Sequence, residues 1–167
     1  MKDPIVPEME KFKLFWRNCL FQTLLATLTM FVIILVLTME HAVIISSLGS
    51  TVFLLFAMPR SVTARPRNVI GGYLSALLSG SLCSSIPHPS LLHSIAVYSL
   101  AVGLSFAMMV VTRTEHPPAA GAALGIATKG FSPNTILTVA LVAMMISLIH
   151  SFLKPILRDL TQSPMSR

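Results

Sequence analysis

Residues 112–125 read Thr112-Arg113-Thr114-Glu115-His116-Pro117-Pro118-Ala119-Ala120-Gly121-Ala122-Ala123-Leu124-Gly125. Two consecutive prolines fix φ and remove two backbone donors, so no helix runs through them, whereas a helix with proline in its first turn begins well there. Small residues follow, which leaves the start of the new helix uncovered. In low-dielectric surroundings a helix N-terminus carries about half a positive charge and suits an anion. The same small side chains equally let a neighbouring helix pack closely, and the sequence leaves both readings open. The apolar run that starts at Pro117 stops at Thr128, before Lys129. About twelve residues at 1.5 Å each fall short of an ordinary membrane span.

Working outward, charged and proline-rich breaks leave five more apolar runs: Asn18 to Met39, Ala42 to Ala57, Asn68 to Ile86, Leu91 to Thr112 and Phe131 to Leu153. Of the 167 residues 54% are hydrophobic and only 11% charged, with a net charge of +6. A soluble domain carries about 25% charged residues, so this composition excludes an ordinary cytosolic enzyme, and it equally excludes a disordered chain. It describes an all-α polytopic membrane protein with about six membrane segments. Six spans of about 20 residues leave room only for termini and loops. The expected layout is an N-terminal segment 1–17, a transmembrane domain 18–153 and a C-terminal tail 154–167. The first run follows Lys11, Lys13 and Arg17 like a secretory signal, but it is longer than a signal core and no small-x-small cleavage site follows it, so it reads as an uncleaved helix.

The second run is also short, and it carries Ser46-Ser47-Leu48-Gly49-Ser50 where the fifth carries its proline pair. Two topologies compete: six crossings, with the two short runs as broken or half-membrane helices, or four crossings with both as re-entrant loops. With six, 11 of the 12 Lys and Arg residues fall on one side and only Lys129 on the other. With four, the bias nearly vanishes. The positive-inside rule therefore favours six crossings in a cell (inner) membrane with both termini cytoplasmic. Cys19 and Cys83 then lie near opposite faces, too far apart to bridge.

Glu40-His41 precedes the first short run, and Glu115-His116, 75 residues later, precedes the second. Each half thus reads long helix, Glu-His, short segment, long helix. Three crossings per unit is odd, so the second unit is inserted upside down. The expected fold is an inverted 3+3 repeat, an arrangement that secondary transporters use with discontinuous helices near mid-membrane.

The stretch Glu115-His116-Pro117-Pro118-Ala119 resembles the defining motif of the HPP family of integral membrane proteins. Ser47-Leu48-Gly49-Ser50-Thr51-Val52-Phe53-Leu54-Leu55-Phe56-Ala57 and Arg65-Pro66-Arg67-Asn68-Val69-Ile70-Gly71-Gly72 agree with that family in order and spacing, and the resemblance covers most of the chain beyond about residue 15. Some members are implicated in nitrite transport in chloroplasts and cyanobacteria, so the resemblance implies a transporter and names nitrite as a candidate substrate. Two departures stand out. Ser61 to Arg65 is more basic than the family pattern, and Ala122-Ala123 occupy positions where a hydroxyl residue often follows the motif.

The residues expected at the substrate site are Ser47, Gly49, Ser50 and Thr51 in the second run, Arg67 and Asn68 before the third, and His116, Pro117, Pro118, Ala119 and Gly121. Hydroxyls in apolar surroundings either bond back to their own helix or face something polar. Arg60, Arg65 and Arg67 either anchor the chain at the anionic leaflet or form a vestibule that concentrates anions. Histidine as a residue type titrates near neutral pH, which makes His116 a candidate for proton coupling. His88 falls in an external turn, and His150 on the last run reads as a hydrogen-bonded interhelical donor. Small residues at Gly72, Ala76 and Gly80, and again at Gly103 and Ala107, permit close helix contact.

The leading expectation is a transporter or channel for a small inorganic anion, working in the lipid bilayer as a homo-oligomer. The alternative is a partner-dependent structural or sensory membrane subunit. No span holds a carboxylate pair and no His-Glu-x-x-His occurs, so an enzyme is not expected, nor is a metal, a cofactor or a nucleic-acid partner.

Overall fold

The computed structural model describes residues 8–36 and 42–161. Among these, the chain is all helical: α1 Glu8–Val36, α2 Ala42–Ala57, α3 Pro66–Ser84, α4 Leu91–Thr112, α5 Pro117–Lys129 and α6 Pro133–Leu153, with a 3-10 turn at Val62–Ala64 before α3. Three helices, Met9–Leu35 within α1, Leu91–Thr112 and Pro133–Leu153, are long and apolar enough to cross a membrane. Their outward faces carry large apolar side chains such as Leu24, Phe31, Phe106, Val111 and Leu148. Glu40 and His41, the first arm of the expected repeat, lie outside the described residues.

Local chemistry sets the boundaries. Proline opens α3, α5 and α6 at the first turn. Ser90 and Ser132 cap α4 and α6, accepting hydrogen bonds from the amides of His93 and Thr135. Helix α4 closes on Arg113 in the left-handed region (φ 54°), whose N–H returns to the Met109 and Val110 carbonyls.

Helix α5 is the centre of the bundle, with Ala119, Ala122, Ala123, Gly125, Ile126 and Ala127 buried against α2, α3 and α4. A Cβ on Gly72 would come within 2.7 Å of His116 Cβ and 3.4 Å of Ala119 Cβ; two turns on, one on Gly80 would lie 2.8 Å from the Ala123 carbonyl oxygen. So α3 and α5 run parallel in close contact. Gly121 faces Ser47 and Gly125 faces Ile44, so α2 runs antiparallel to α5. The small-residue rows of α3 are thus packing surfaces within the chain. On α4 they are not: among the described residues nothing lies within 4 Å of the Gly103 Cβ position, and Ala107 is exposed.

Three sequence expectations change. Helix α1 begins ten residues before Asn18, because Glu, Met, Lys and Arg are good helix formers and carry the helix past the apolar run. Helix α2 is continuous through Gly49: the glycine meets the Met30 side chain of α1 at 3.6 Å, and the neighbouring hydroxyls bond back to the helix instead of interrupting it. It is short, not broken, about 24 Å over 16 residues. Residues 154–161 dock rather than trail. The Leu157 side chain is buried, and the Leu160 N–H donates to the Ala57 carbonyl at 2.9 Å. Buried Gln22 of α1 donates to the carbonyls of Phe56 and Arg158 and accepts from the Arg158 N–H.

Candidate functional site

The four hydroxyls of α2 divide by helical geometry. Ser47 and Thr51, one turn apart, turn inward and are buried, while Ser46 and Ser50 turn outward and are exposed. Ser50 Oγ donates back along the helix to the Ser46 carbonyl at 3.2 Å, and Thr51 Oγ1 lies 3.2 Å from the Ser47 carbonyl oxygen. Ser47 Oγ instead crosses to α5 and donates to the Pro118 carbonyl at 2.6 Å.

His116 precedes a proline and is therefore held extended (φ −140°), which turns its ring inward ahead of α5. The side chain is fully buried. Its Nδ1 lies 2.8 Å from the Thr63 carbonyl oxygen, and its Nε2 2.9 Å from Thr51 Oγ1. Thr51 Oγ1 is in turn 2.8 Å from Tyr73 Oη, which sits 3.3 Å from Ser47 Oγ. A continuous hydrogen-bonded network thus joins the 3-10 turn, α2, α3 and α5. The Tyr73 ring leans on the imidazole, with centroids 5.7 Å apart. Burial pushes the His116 imidazole well below its ordinary range, to about 4, against an opposing pull from the Thr63 carbonyl. A carbonyl only accepts, so Nδ1 carries the proton and the neutral ring presents its Nε2 lone pair to Thr51.

On the outer side of this network lies an open groove of about 520 Å³ between α2 and α5, lined by Val43, Ser46, Ser47, Ser50, Pro117, Pro118 and Gly121. The expected site residues Ser47, Ser50, Pro117, Pro118 and Gly121 meet there. Thr51 and His116 do not line it and connect to it through Tyr73 and Ser47. Ala119 turns away, against Gly72. Gly49 faces α1, and Arg67 and Asn68 do not reach the groove: Asn68 Nδ2 donates to the Glu115 carbonyl at 3.1 Å and Arg67 Nη2 to the Thr112 carbonyl at 3.4 Å, so both pin the loop that carries His116. Arg60, Arg65, Arg67 and Arg113 are all exposed.

The uncovered amides expected at the start of α5 are not available. Pro117 and Pro118 have no N–H, and the Ala119 N–H donates to the His116 carbonyl at 3.0 Å. The α2 hydroxyls of Ser46, Ser47 and Ser50 line the groove, those of Ser47 and Ser50 resting on carbonyls from which they would turn to meet an anion, and the α5 dipole adds only its field. Ala122 and Ala123, where a hydroxyl residue would be usual, are buried in the core away from the groove.

Tyr73 was not foreseen as a site residue. Its signal was available: it is one of two tyrosines in the chain, set in a helix of small residues. His150 differs from its expectation, since it is buried on α6 and, among the described residues, neither ring nitrogen makes a well-formed hydrogen bond, the Pro59 backbone being its nearest polar neighbour. His88 does sit in the turn before α4, its Nδ1 2.7 Å from the Ile86 carbonyl oxygen. Cys19 and Cys83 are free thiols. Among the described residues no three His, Cys, Asp or Glu side chains come together as a metal site.

Comparison with known proteins places this geometry. The family described as HPP, transmembrane region, matches residues 11–160. The chain belongs to the HPP transmembrane family. The HPP motif of this member is therefore the His116-Pro117-Pro118 corner just described, in which the histidine is buried and the prolines face the groove. A protein of Dictyostelium discoideum described as a transmembrane protein is 30% identical over 133 residues, covering 74% of this chain. The match takes in 42% of that relative's own length. No solved structure matches the chain.

Proposed function

We propose that this HPP protein is a transporter or channel for a small inorganic anion, with nitrite the leading candidate, and that the α2–α5 groove is its binding station. The observation that carries the reading is the groove itself. Two short helices meet across a hydroxyl-lined space from which Ser47 leads into a buried network ending on the histidine of the family's motif. Hydroxyls satisfy an anion by donating hydrogen bonds without a fixed countercharge, so they bind it weakly enough to let it leave. Exposed arginines at the loops around residues 60–67 and 113 raise the local anion concentration.

In this reading the chain crosses a cell membrane six times as an inverted repeat, with both termini cytoplasmic, and works without metal or cofactor. The parallel α3–α5 and antiparallel α2–α5 contacts agree with alternating crossings. Ser46 and Ser50 open sideways from the groove, so a second copy of the chain would shield them from lipid in a homo-oligomer.

The test is uptake of nitrite, nitrate, chloride and formate into proteoliposomes containing the purified protein. Saturable uptake above protein-free vesicles, abolished in Gly121→Leu, is the expected result. Folded protein that moves none of the four anions would overturn the reading in favour of a partner-dependent membrane subunit.

A further inference from the structure

We infer that the groove takes a small weak acid together with its proton, and that the chain Ser47–Tyr73–Thr51–His116 carries that proton away from the bound anion and holds it. The inference rests on the anion-transport reading and names its substrate class.

Three side-chain links, 3.3, 2.8 and 2.9 Å long, run from Ser47, which lines the groove, through Tyr73 and Thr51 to His116 Nε2. Each intermediate group is a hydroxyl, able to accept a proton on one side while giving one up on the other. The chain has one base that can keep a proton, at its far end. Nδ1 is committed to the Thr63 carbonyl, which leaves the Nε2 lone pair of the neutral ring facing Thr51. The other polar neighbours, the carbonyls of Thr63, Ser47 and Pro118, cannot hold a proton.

The step balances without an oxidant or reductant. The O–H bond of the bound acid breaks and its proton passes to Ser47 Oγ. Ser47 turns its own proton from the Pro118 carbonyl to Tyr73 and gives it up, Tyr73 passes one to Thr51, and Thr51 one to Nε2 of His116. An anion in the groove and an imidazolium behind it result, and reversal at release restores both. Facing His116 are Thr51 from α2, Gly72 and Tyr73 from α3, Thr63 from the 3-10 turn and Ala119 from its own helix. Tyr73 is the titratable group among them. Arg113 and Glu115, its nearest charged neighbours in the chain, are exposed. Anions of strong acids have no proton to give, so the device separates nitrite and formate from nitrate and chloride.

The experiment reads internal pH in proteoliposomes of the full chain, with acid outside, after addition of sodium nitrite, formate or nitrate. Protein-free vesicles give the leak of the free acid, and isotopic nitrite exchange at equal pH is measured in parallel. Wild type is expected to acidify with nitrite and formate but not nitrate. Tyr73→Phe and Thr51→Val are expected to lose about tenfold or more of that acidification, with exchange falling far less. Acidification kept at the wild-type rate in both variants overturns the relay. So does equal loss of acidification and exchange in folded variants, which would make the network structural. Wild-type exchange without any acidification overturns the relay and leaves the transport reading standing. No exchange and no acidification in wild type overturns the transport reading itself.

Discussion

The imidazole Nε2 of His116 lies 2.9 Å from Oγ1 of Thr51, a side chain 65 positions earlier on a different helix. One hydrogen bond thereby ties the motif corner to the hydroxyl face of α2. Replacing His116 with Ala leaves the Thr63 carbonyl and the Thr51 hydroxyl buried with one partner fewer, at about 1–3 kcal/mol. His116→Ala is expected to lose anion uptake and to unfold earlier in detergent. His88→Ala, in an exposed turn, is expected to do neither. Equal uptake by the two variants would remove the motif histidine from the mechanism.

A second prediction concerns the glycine behind that histidine. The Cβ of Gly72→Ala would stand 2.7 Å from His116 Cβ, and both belong to rigid backbone in a close-packed pair of helices. Overpacking of this kind costs about 1–3 kcal/mol. Gly72→Ala is expected to behave like His116→Ala in uptake and thermal stability. Gly103→Ala, with open space around the site, should leave both unchanged. A destabilised Gly103→Ala would mean that α4 has a close neighbour across its outer face.

Much of this fold was legible because proline and charge punctuate it. The runs read as Ala42 to Ala57 and Leu91 to Thr112 coincide with α2 and α4, and prolines 66, 117 and 133 each open a helix. What failed was a local reading of composition. Gly49 among serines looks like a break, yet helix packing against Met30 and back-bonded hydroxyls outweigh a propensity cost of about 1 kcal/mol. The proline pair looks like an exposed anion site, but proline itself deletes the amides that such a site needs. The groove residues were nameable one by one. Their partners were not, since no periodicity connects Thr51 to His116 or Ser47 to Tyr73.

A third prediction separates the groove from the fold. At Gly121 an added Cβ would sit 3.4 Å from Ser47 Cβ, close to ordinary contact, so Gly121→Ala should assemble and transport at a reduced rate. Gly121→Leu places a larger side chain in the groove between Ser47 and Pro118 and is expected to abolish uptake while eluting as folded protein. Normal uptake by Gly121→Leu would move the pathway elsewhere.

The last prediction concerns Gln22, whose side chain is buried in a run that holds no charged residue. Its amide satisfies the Phe56 carbonyl at the end of α2 and both backbone groups of Arg158, so one side chain holds the returning segment against α1 and α2. Gln22→Ala deletes three hydrogen bonds of about 1 kcal/mol each and leaves their backbone partners unpaired. Leu157 and Leu160 then have to hold the segment alone, through one buried side chain and one backbone bond to Ala57. Limited proteolysis with trypsin is therefore expected to cut after Arg158, the Lys154–Pro155 bond being resistant, several times faster in Gln22→Ala than in wild type, with the helices spared. Gln22→Glu keeps the acceptor for the Arg158 N–H but loses the two donated bonds, so its cleavage rate should fall between the two. Cleavage at the wild-type rate in both variants would show that the segment is held by its apolar contacts, with the glutamine incidental.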